Sequence, residues 1–268
     1  MTIEYNAVWI SDAHLCSREC RLEDLLEFVR RVRCKNIYLV GDFIDLWQFK
    51  RRWHWPQEMN NVFRSLLGQT KHDTRIIYIP GNHDEGVLNF AGANFGNIQI
   101  CKSAVHTAAN GKKYLVLHGH EFDAVVKYRK WLAMLGSAAY DYLVTANRIF
   151  NAVRRMLGLP YVSFSAKIKR RVKQAMTYIH EFESAAAHEA RKQRLDGVIC
   201  GHIHQPAVKK VDGVLYCNTG DWVESCSAAV EHKDGRIDVI SWHEMRARFE
   251  DEAERHIEPA DLDALFIG

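Results

Sequence analysis

The sequence predicts an α/β domain in which two packed β-sheets are flanked by helices, with a helical subdomain inserted near the middle of the chain. Short apolar runs alternate with helical periodicity through the N-terminal third, and each run closes on a polar cluster. The stretch between His120 and Leu195, in contrast, carries helical spacing with one interruption near Gly158.

In chain order, Tyr5–Ile10 reads as a buried strand, and Cys20 to Val32 carries apolar residues at helical spacing. Ile37–Val40 and Arg75–Ile79 are the next apolar runs, which completes a βαβαβ opening. Tyr114–Leu117 and Val198–Cys200 are further strands. Val214–Cys217, Ser227–Val230 and Ile237–Trp242 follow as strand and hairpin signals, the last two separated by the turn Lys233-Asp234-Gly235. The expected organisation is a core of residues 1–123 and 195–248, an insertion over 124–194 interrupted near Gly158-Leu159-Pro160, and an acidic tail over 249–268. Charge supports the division. Between Ala124 and Lys173 lie eleven Lys or Arg and the single acid Asp141, whereas Phe249 to the C-terminus holds seven acids and one Arg.

Composition narrows the class. With 268 residues, 47% hydrophobic and 26% charged, the chain is an ordinary folded protein, and its net charge of +3 decides little. No apolar run approaches the roughly 20 residues that span a bilayer, and the N-terminus lacks a secretory pattern, so the expected location is the cytoplasm. Seven cysteines without a CxxC pair fit reduced thiols, with Cys16 and Cys20 as packing residues. Fourteen histidines are many for this length and hint at metal chemistry.

Five polar clusters carry that hint: Ser11-Asp12-Ala13-His14, Gly41-Asp42-Phe43-Ile44-Asp45, Gly81-Asn82-His83-Asp84, His118-Gly119-His120 and Gly201-His202-Ile203-His204. Each follows an apolar strand, and ligand sites in α/β sheets lie at the carboxyl ends of strands, so the five are expected to converge. Two divalent cations about 3.5–4 Å apart can clamp both the attacking and the leaving oxygen of an in-line displacement. Such a pair needs a carboxylate that reaches both, and Asp42, at the end of the second strand, is placed for it. Asp12 and His14 can bend over one cation from a loop, Asn82 offers a neutral carbonyl oxygen, and His118, His202 and His204 offer imidazoles. Nitrogen and oxygen ligation without thiolate favours manganese, iron, zinc or cobalt over calcium.

The blocks Asp-x-His, Gly-Asp-x-x-Asp, Gly-Asn-His-Asp, His-Gly-His and Gly-His-x-His, in this order, resemble the calcineurin-like metallophosphoesterase family. That resemblance implies a four-layer αββα sandwich with two divalent metal ions, manganese first among them. One ion would be held by Asp12, His14, Asp42 and His204, and the other by Asp42, Asn82, His118 and His202. It also implies that His83 faces the substrate and protonates the leaving oxygen, that Asp84 orients the His83 ring, and that Asp45 supports the ligands. Within the family the chain looks most like the UDP-2,3-diacylglucosamine pyrophosphatases of lipid A biosynthesis, on its length, its insertion and the run Tyr216 to Ser225. Those enzymes release UMP, and their insertion forms a lid over acyl chains. The chain departs from them at His83, where they carry Arg, and at His120, where they carry Asp.

The partner so implied is an anionic phosphorylated small molecule or lipid. Lys127, Arg129, Lys130, Arg148, Arg154 and Arg155, interleaved with residues such as Trp131 and Phe150, would suit phosphates, acyl chains or the periphery of an anionic membrane. Trp47 to Trp55, with Lys50, Arg51 and Arg52, is a second expected contact for a nucleotide or sugar, and His120 stands beside the metals. No nucleic-acid motif lies outside the metal blocks, so no nucleic acid is expected as partner. Two competing readings are a phosphomonoesterase, including a protein phosphatase, and a scaffold with a vestigial centre. A lost ligand would mark the scaffold, and none is lost. His54, His72, His106, His180 and His188 are expected to carry no chemistry.

Overall fold

The computed structural model describes residues 2–51, 54–95, 97–124 and 165–255. The chain opens as expected with β1 (Ile3–Ile10), α1 (Leu22–Arg31), β2 (Val32–Val40), then a short α2 (Leu46–Arg51), α3 (Gln57–Thr70) and β3 (Arg75–Ile79). β1, β2 and β3 are parallel neighbours. The short strands β4 (Asn94–Phe95) and β5 (Ile98–Ile100) extend the same sheet, which β11 (Ser227–Glu231) and β12 (Ile237–Ser241) complete in the order β12-β11-β1-β2-β3-β5-β4. The second sheet contains β6 (Ala104–Thr107), β7 (Lys113–Val116), β8 (Gly197–Cys200), β9 (Ala207–Val211) and β10 (Val214–Asn218) in the order β6-β7-β8-β10-β9.

Side-chain alternation along the strands builds the layers. Val8, Ile10, Ile37 and Leu39 face one way and pack with Leu25, Phe28, Met59, Val62 and Leu66 of α1 and α3. Ala7, Trp9, Tyr38 and Val40 face the other way and form a separate core with Tyr114, Val116, Ile199 and Cys217 of the second sheet. Trp9 and Tyr38 are register partners, and their rings stack 5.4 Å apart. Leu115, Val198 and Tyr216, on the far face of the second sheet, are buried too, as are Ala186, Ala187 and Ala190 near the end of α4 (Ser165–Lys192). The layers therefore run helix, sheet, sheet, helix, the αββα class anticipated from the sequence.

Boundaries moved where local geometry decides them. The backbone turns extended at Val32 (φ −85°, ψ 140°), so β2 starts there, five residues before its apolar run. Trp242, expected to end a strand, opens α5 (Trp242–Arg255), which carries helix past the expected start of the tail at 249. β9 escaped the sequence reading because it is an edge strand whose Lys209 and Lys210 are exposed, as edges commonly are.

The chain divides into two compact units, Met1–His120 with Ala186–Gly268, and Glu121–Ala185. Within the second, Phe122 meets Phe182 edge to face at 5.7 Å and the Tyr178 hydroxyl donates to Asp123 at 2.8 Å. The basic and aromatic residues anticipated as a lid, Lys127 to Leu157, lie outside the described residues, as does Arg52. Among the described residues no helix is long and apolar enough to cross a membrane.

Candidate metal centre

Sharp backbone turns at the strand ends gather the predicted ligands. Asp12 (φ 49°), His14 (46°), Asp42 (49°), His202 (71°) and His204 (53°) all sit in the left-handed region, where an L residue is strained by about 1–3 kcal/mol. Asp and His tolerate that region better than most, and it bends the loop so that neighbouring side chains face one point. Glycines clear the space. A Cβ on Gly41 would fall within 3.0 Å of the His118 ring, one on Gly81 within 3.0 Å of an Asp42 oxygen, and one on Gly201 within 3.0 Å of an Asp12 oxygen.

Three groups of donor atoms result: Asp12 with His14 and His204, His14 again with Asp45 and His83, and Asp42 with His118 and His202, the atoms of each group lying within 4.8 Å of one another. His204 Nε2 is 3.1 Å from Asp12 Oδ1, and His118 Nε2 is 3.3 Å from Asp42 Oδ2. Asp42 Oδ2 also lies 4.0 Å from His83 Nε2.

Hydrogen bonds fix which atom of each ligand is left over. Asp12 Oδ2 accepts from the Ser11 hydroxyl at 2.5 Å and from the His202 amide at 2.9 Å. His118 Nδ1 lies 2.9 Å from the Val40 carbonyl, which can only accept, so Nδ1 carries a proton and Nε2 is the nitrogen turned toward Asp42. Asn82 Oδ1 is buried with no hydrogen-bond donor, and Asp12 Oδ1 and His118 Nε2 are buried with only another ligand-type group, His204 and Asp42, near them. An unpaired acceptor costs about 1–3 kcal/mol in a protein interior. Groups of this kind gathered at one rim fit a cation.

The electrostatics agree. Burial alone would raise the Asp12 carboxyl, yet His204, His118 and His14 hold it well below the usual carboxylate range. Asp42 is likewise lowered against burial by His118 and His83. Burial would lower both histidines, but Asp42 lifts His118 to about 10 and Asp12 lifts His204 to about 9. Positive charge is favoured at this point, whether carried by protons or by metal.

His83 lies at the edge of the group. Its Nδ1 is 3.1 Å from Asp45 Oδ1, its ring stacks on Trp47 at 4.1 Å and meets His14 edge to face at 4.7 Å. Burial opposes protonation of this ring, but Asp45 and Asp42 outweigh it and raise its pKa. Asp45 spans two rings, since its other oxygen is 3.4 Å from His14 Nδ1. Asp84 was expected to orient His83 and does not. Its carboxylate is fully used by the Tyr78 hydroxyl at 2.6 Å and by the amides of Gly81, Asp42, Phe43 and Ile44 at 2.6–3.3 Å, so it ties the second and third loops together. The residue that meets the His83 ring is Asp45.

His120 lies beside the group, its ring 5.4 Å from His118 and 6.4 Å from His202. Arg51 is exposed at the end of α2. Sequence reasoning missed Ser11 and Thr219. The Ser11 hydroxyl that holds Asp12 is itself 2.5 Å from the Thr219 hydroxyl and 3.0 Å from the Gly220 carbonyl. Asn218 Nδ2 donates to the Gly201 carbonyl at 2.7 Å, and the Trp222 amide to the Asp12 carbonyl at 3.2 Å. The run Tyr216 to Ser225 therefore buttresses the loops of Asp12 and His202. Its sequence signal was present: Asn218-Thr219-Gly220-Asp221 follows a strand, as the ligand blocks do.

Residues 5–206 match the family model described as calcineurin-like phosphoesterase. A UDP-2,3-diacylglucosamine hydrolase of Blochmanniella pennsylvanica (strain BPEN) is 24% identical over 214 residues, covering 76% of this chain and 81% of that protein. Similar solved structures include an archaeal phosphodiesterase (TM-score 0.41, 15% identity, 88% of this chain and 98% of that one). A phosphopantetheinyl hydrolase from Mycobacterium tuberculosis is another (TM-score 0.39, 14% identity, 81% and 90%).

Proposed function

Because the chain belongs to the calcineurin-like phosphoesterase family and is thus a metal-dependent phosphoester hydrolase, we propose that it cleaves a phosphodiester or pyrophosphate at a dinuclear centre, with UDP-2,3-diacylglucosamine or a related nucleotide-lipid as substrate. The observation that carries the dinuclear reading is the pair of donor groups, Asp12 with His14 and His204 and Asp42 with His118 and His202, together with the buried, unpaired Asn82 Oδ1. On this reading Asp12, His14, Asp42 and His204 hold one cation and Asp42, Asn82, His118 and His202 the other, manganese being preferred to iron, zinc or cobalt. Bound there, the cations supply Lewis-acid polarisation of the phosphoryl group and a nucleophile at neutral pH.

The protein's own residues do the rest. His83, held at Nδ1 by Asp45 and braced by Trp47, keeps Nε2 on the side of Asp42. From there it hydrogen-bonds the phosphoryl group and passes its proton to the leaving oxygen. Ser11 and the His202 amide hold Asp12 so that one oxygen stays aimed at the centre. The substrate is an anionic amphiphile, met in the cytoplasm at the surface of an anionic bilayer through the basic insertion.

UMP release from UDP-2,3-diacylglucosamine by the manganese-loaded protein tests the substrate, with Asp42→Ala as control and a chromogenic phosphodiester alongside. Rapid release that Asp42→Ala abolishes supports the nucleotide-lipid. Turnover of the diester alone removes that substrate and keeps the phosphoesterase.

A further inference from the structure

A different set of ligand-type side chains meets where α1, the loop before β11 and the first turn of α5 come together. Asp24, Cys226 and His243 each place one donor atom within 4.8 Å of the other two. We propose that these three residues form a separate, mononuclear site for a thiophilic divalent cation, zinc by preference.

Asp24 lies more than 200 residues before Cys226 and His243 in sequence, yet the places of all three are well fixed. Cys226 is wholly buried, and its backbone is left-handed (φ 45°). Its carbonyl accepts the Trp242 amide at 2.8 Å, which ties the start of β11 to the start of α5 and brings the neighbouring His243 with it. Arg246 holds Asp24 Oδ1 at 3.1 Å, leaving Oδ2 for a cation. The charge of Arg246 is shared with Glu27 at 4.0 Å and Glu250 at 3.6 Å, so it does not stand alone against a metal.

One sulfur, one imidazole nitrogen and one carboxylate oxygen are a donor set that zinc takes at three protein positions, with solvent at a fourth. His243 is exposed, so solvent has access. Burial, aided by Asp24, pushes the Cys226 thiol up to about 11, which makes a bare thiolate unfavourable there and a metal in place of the proton the way to use it. The thiolate and carboxylate together neutralise a dication. The site would clamp α1 near the N-terminus to α5 near the C-terminus of the described chain.

The proposal is independent of the substrate reading, and its test reads the cobalt band and bound cobalt first. Thiolate-to-cobalt charge-transfer absorption in the near ultraviolet is diagnostic, because the ligands of the rim centre include no sulfur. Protein saturated with Co2+ is expected to show this band, and Cys226→Ser to lose both the band and one equivalent of bound cobalt, while Cys16→Ser and Cys20→Ser keep both. His243→Ala, at an exposed position that folding does not need, is expected to weaken cobalt binding at this site at least about tenfold with phosphoesterase turnover unchanged. The proposal is overturned by the absence of a thiolate band, or by a band and a metal content that persist in both Cys226→Ser and His243→Ala.

Discussion

The metal centre and the buried cluster around His106 contain the same chemical groups, histidine rings against carboxylates, and only one of them is built for a cation. His106 is 4% exposed, lies 3.0 Å from Glu231 Oε2 and 3.1 Å from the Tyr38 hydroxyl, and rests edge-on against Trp9. Glu231 Oε1 in turn accepts the Ala109 amide at 2.7 Å and the Asn6 side chain at 3.4 Å. Acceptors there meet donors. At the strand ends, Asn82 Oδ1 meets none, and Asp12 Oδ1 and His118 Nε2 meet only other ligand-type groups, His204 and Asp42. The fields differ in sign as well: burial prevails at His106 and lowers its pKa against Glu231, whereas carboxylates prevail at His118 and raise it. An unanswered acceptor among converging ligand-type groups, rather than buried charge as such, sets this centre apart from the His106 network.

The largest effect that sharpens this contrast is the loss of the Asp42 carboxylate. Asp42→Asn is expected to reduce turnover by on the order of 10³-fold or more, while Glu231→Gln leaves turnover and metal content unchanged, as steady-state assays and metal analysis will show. His83→Gln should lower kcat by on the order of 10²-fold with metal content intact, and an equal loss in Asp45→Asn would assign the orientation of His83 to Asp45. Ser11→Ala frees Asp12 from one of its two anchors and is expected to weaken metal binding by about 10–100-fold in a chelator competition. Removal of the metals should lower Tm in calorimetry, the lost stabilisation being about 2.7 kcal/mol if the ion was present at 100 times its Kd. The smallest effect belongs to His106. Its folded pKa lies below the 6.5 of the free ring, so its stabilising contribution is present above pH 6.5 and lost as pH falls through the folded value. Tm should decline on acidification in that range, more gently in His106→Gln, and an unchanged slope in the variant would detach His106 from the effect.

Much of the site was readable because strand ends are readable. Apolar runs at β1, β2, β3, β7 and β8 stop at the blocks that hold the seven candidate ligands, and the loops' positive φ values, with glycine at 41, 81 and 201, gather them as parallel strand ends allow. The partner of His83 was not readable. Asp84 is adjacent in sequence and Asp45 is 38 residues away, but the turn after β3 points Asp84 back at the amides, and only the register of β2 beside β3 brings Asp45 to the ring. Ser11 was visible as a residue and not as an anchor, because Thr219 and Gly220 reach it from the other sheet. β4, β5 and β9 were missed for a simpler reason: two or three residues, or exposed lysines, give no apolar run to detect.

Asp84 has a consequence for how metals are exchanged. By collecting amides from the loops after β2 and β3, it makes them a single body before any ion arrives. An incoming cation then has little chain to order, and the barrier it meets is the shedding of its own water. Loading is therefore expected to change the fold little, whichever divalent ion arrives.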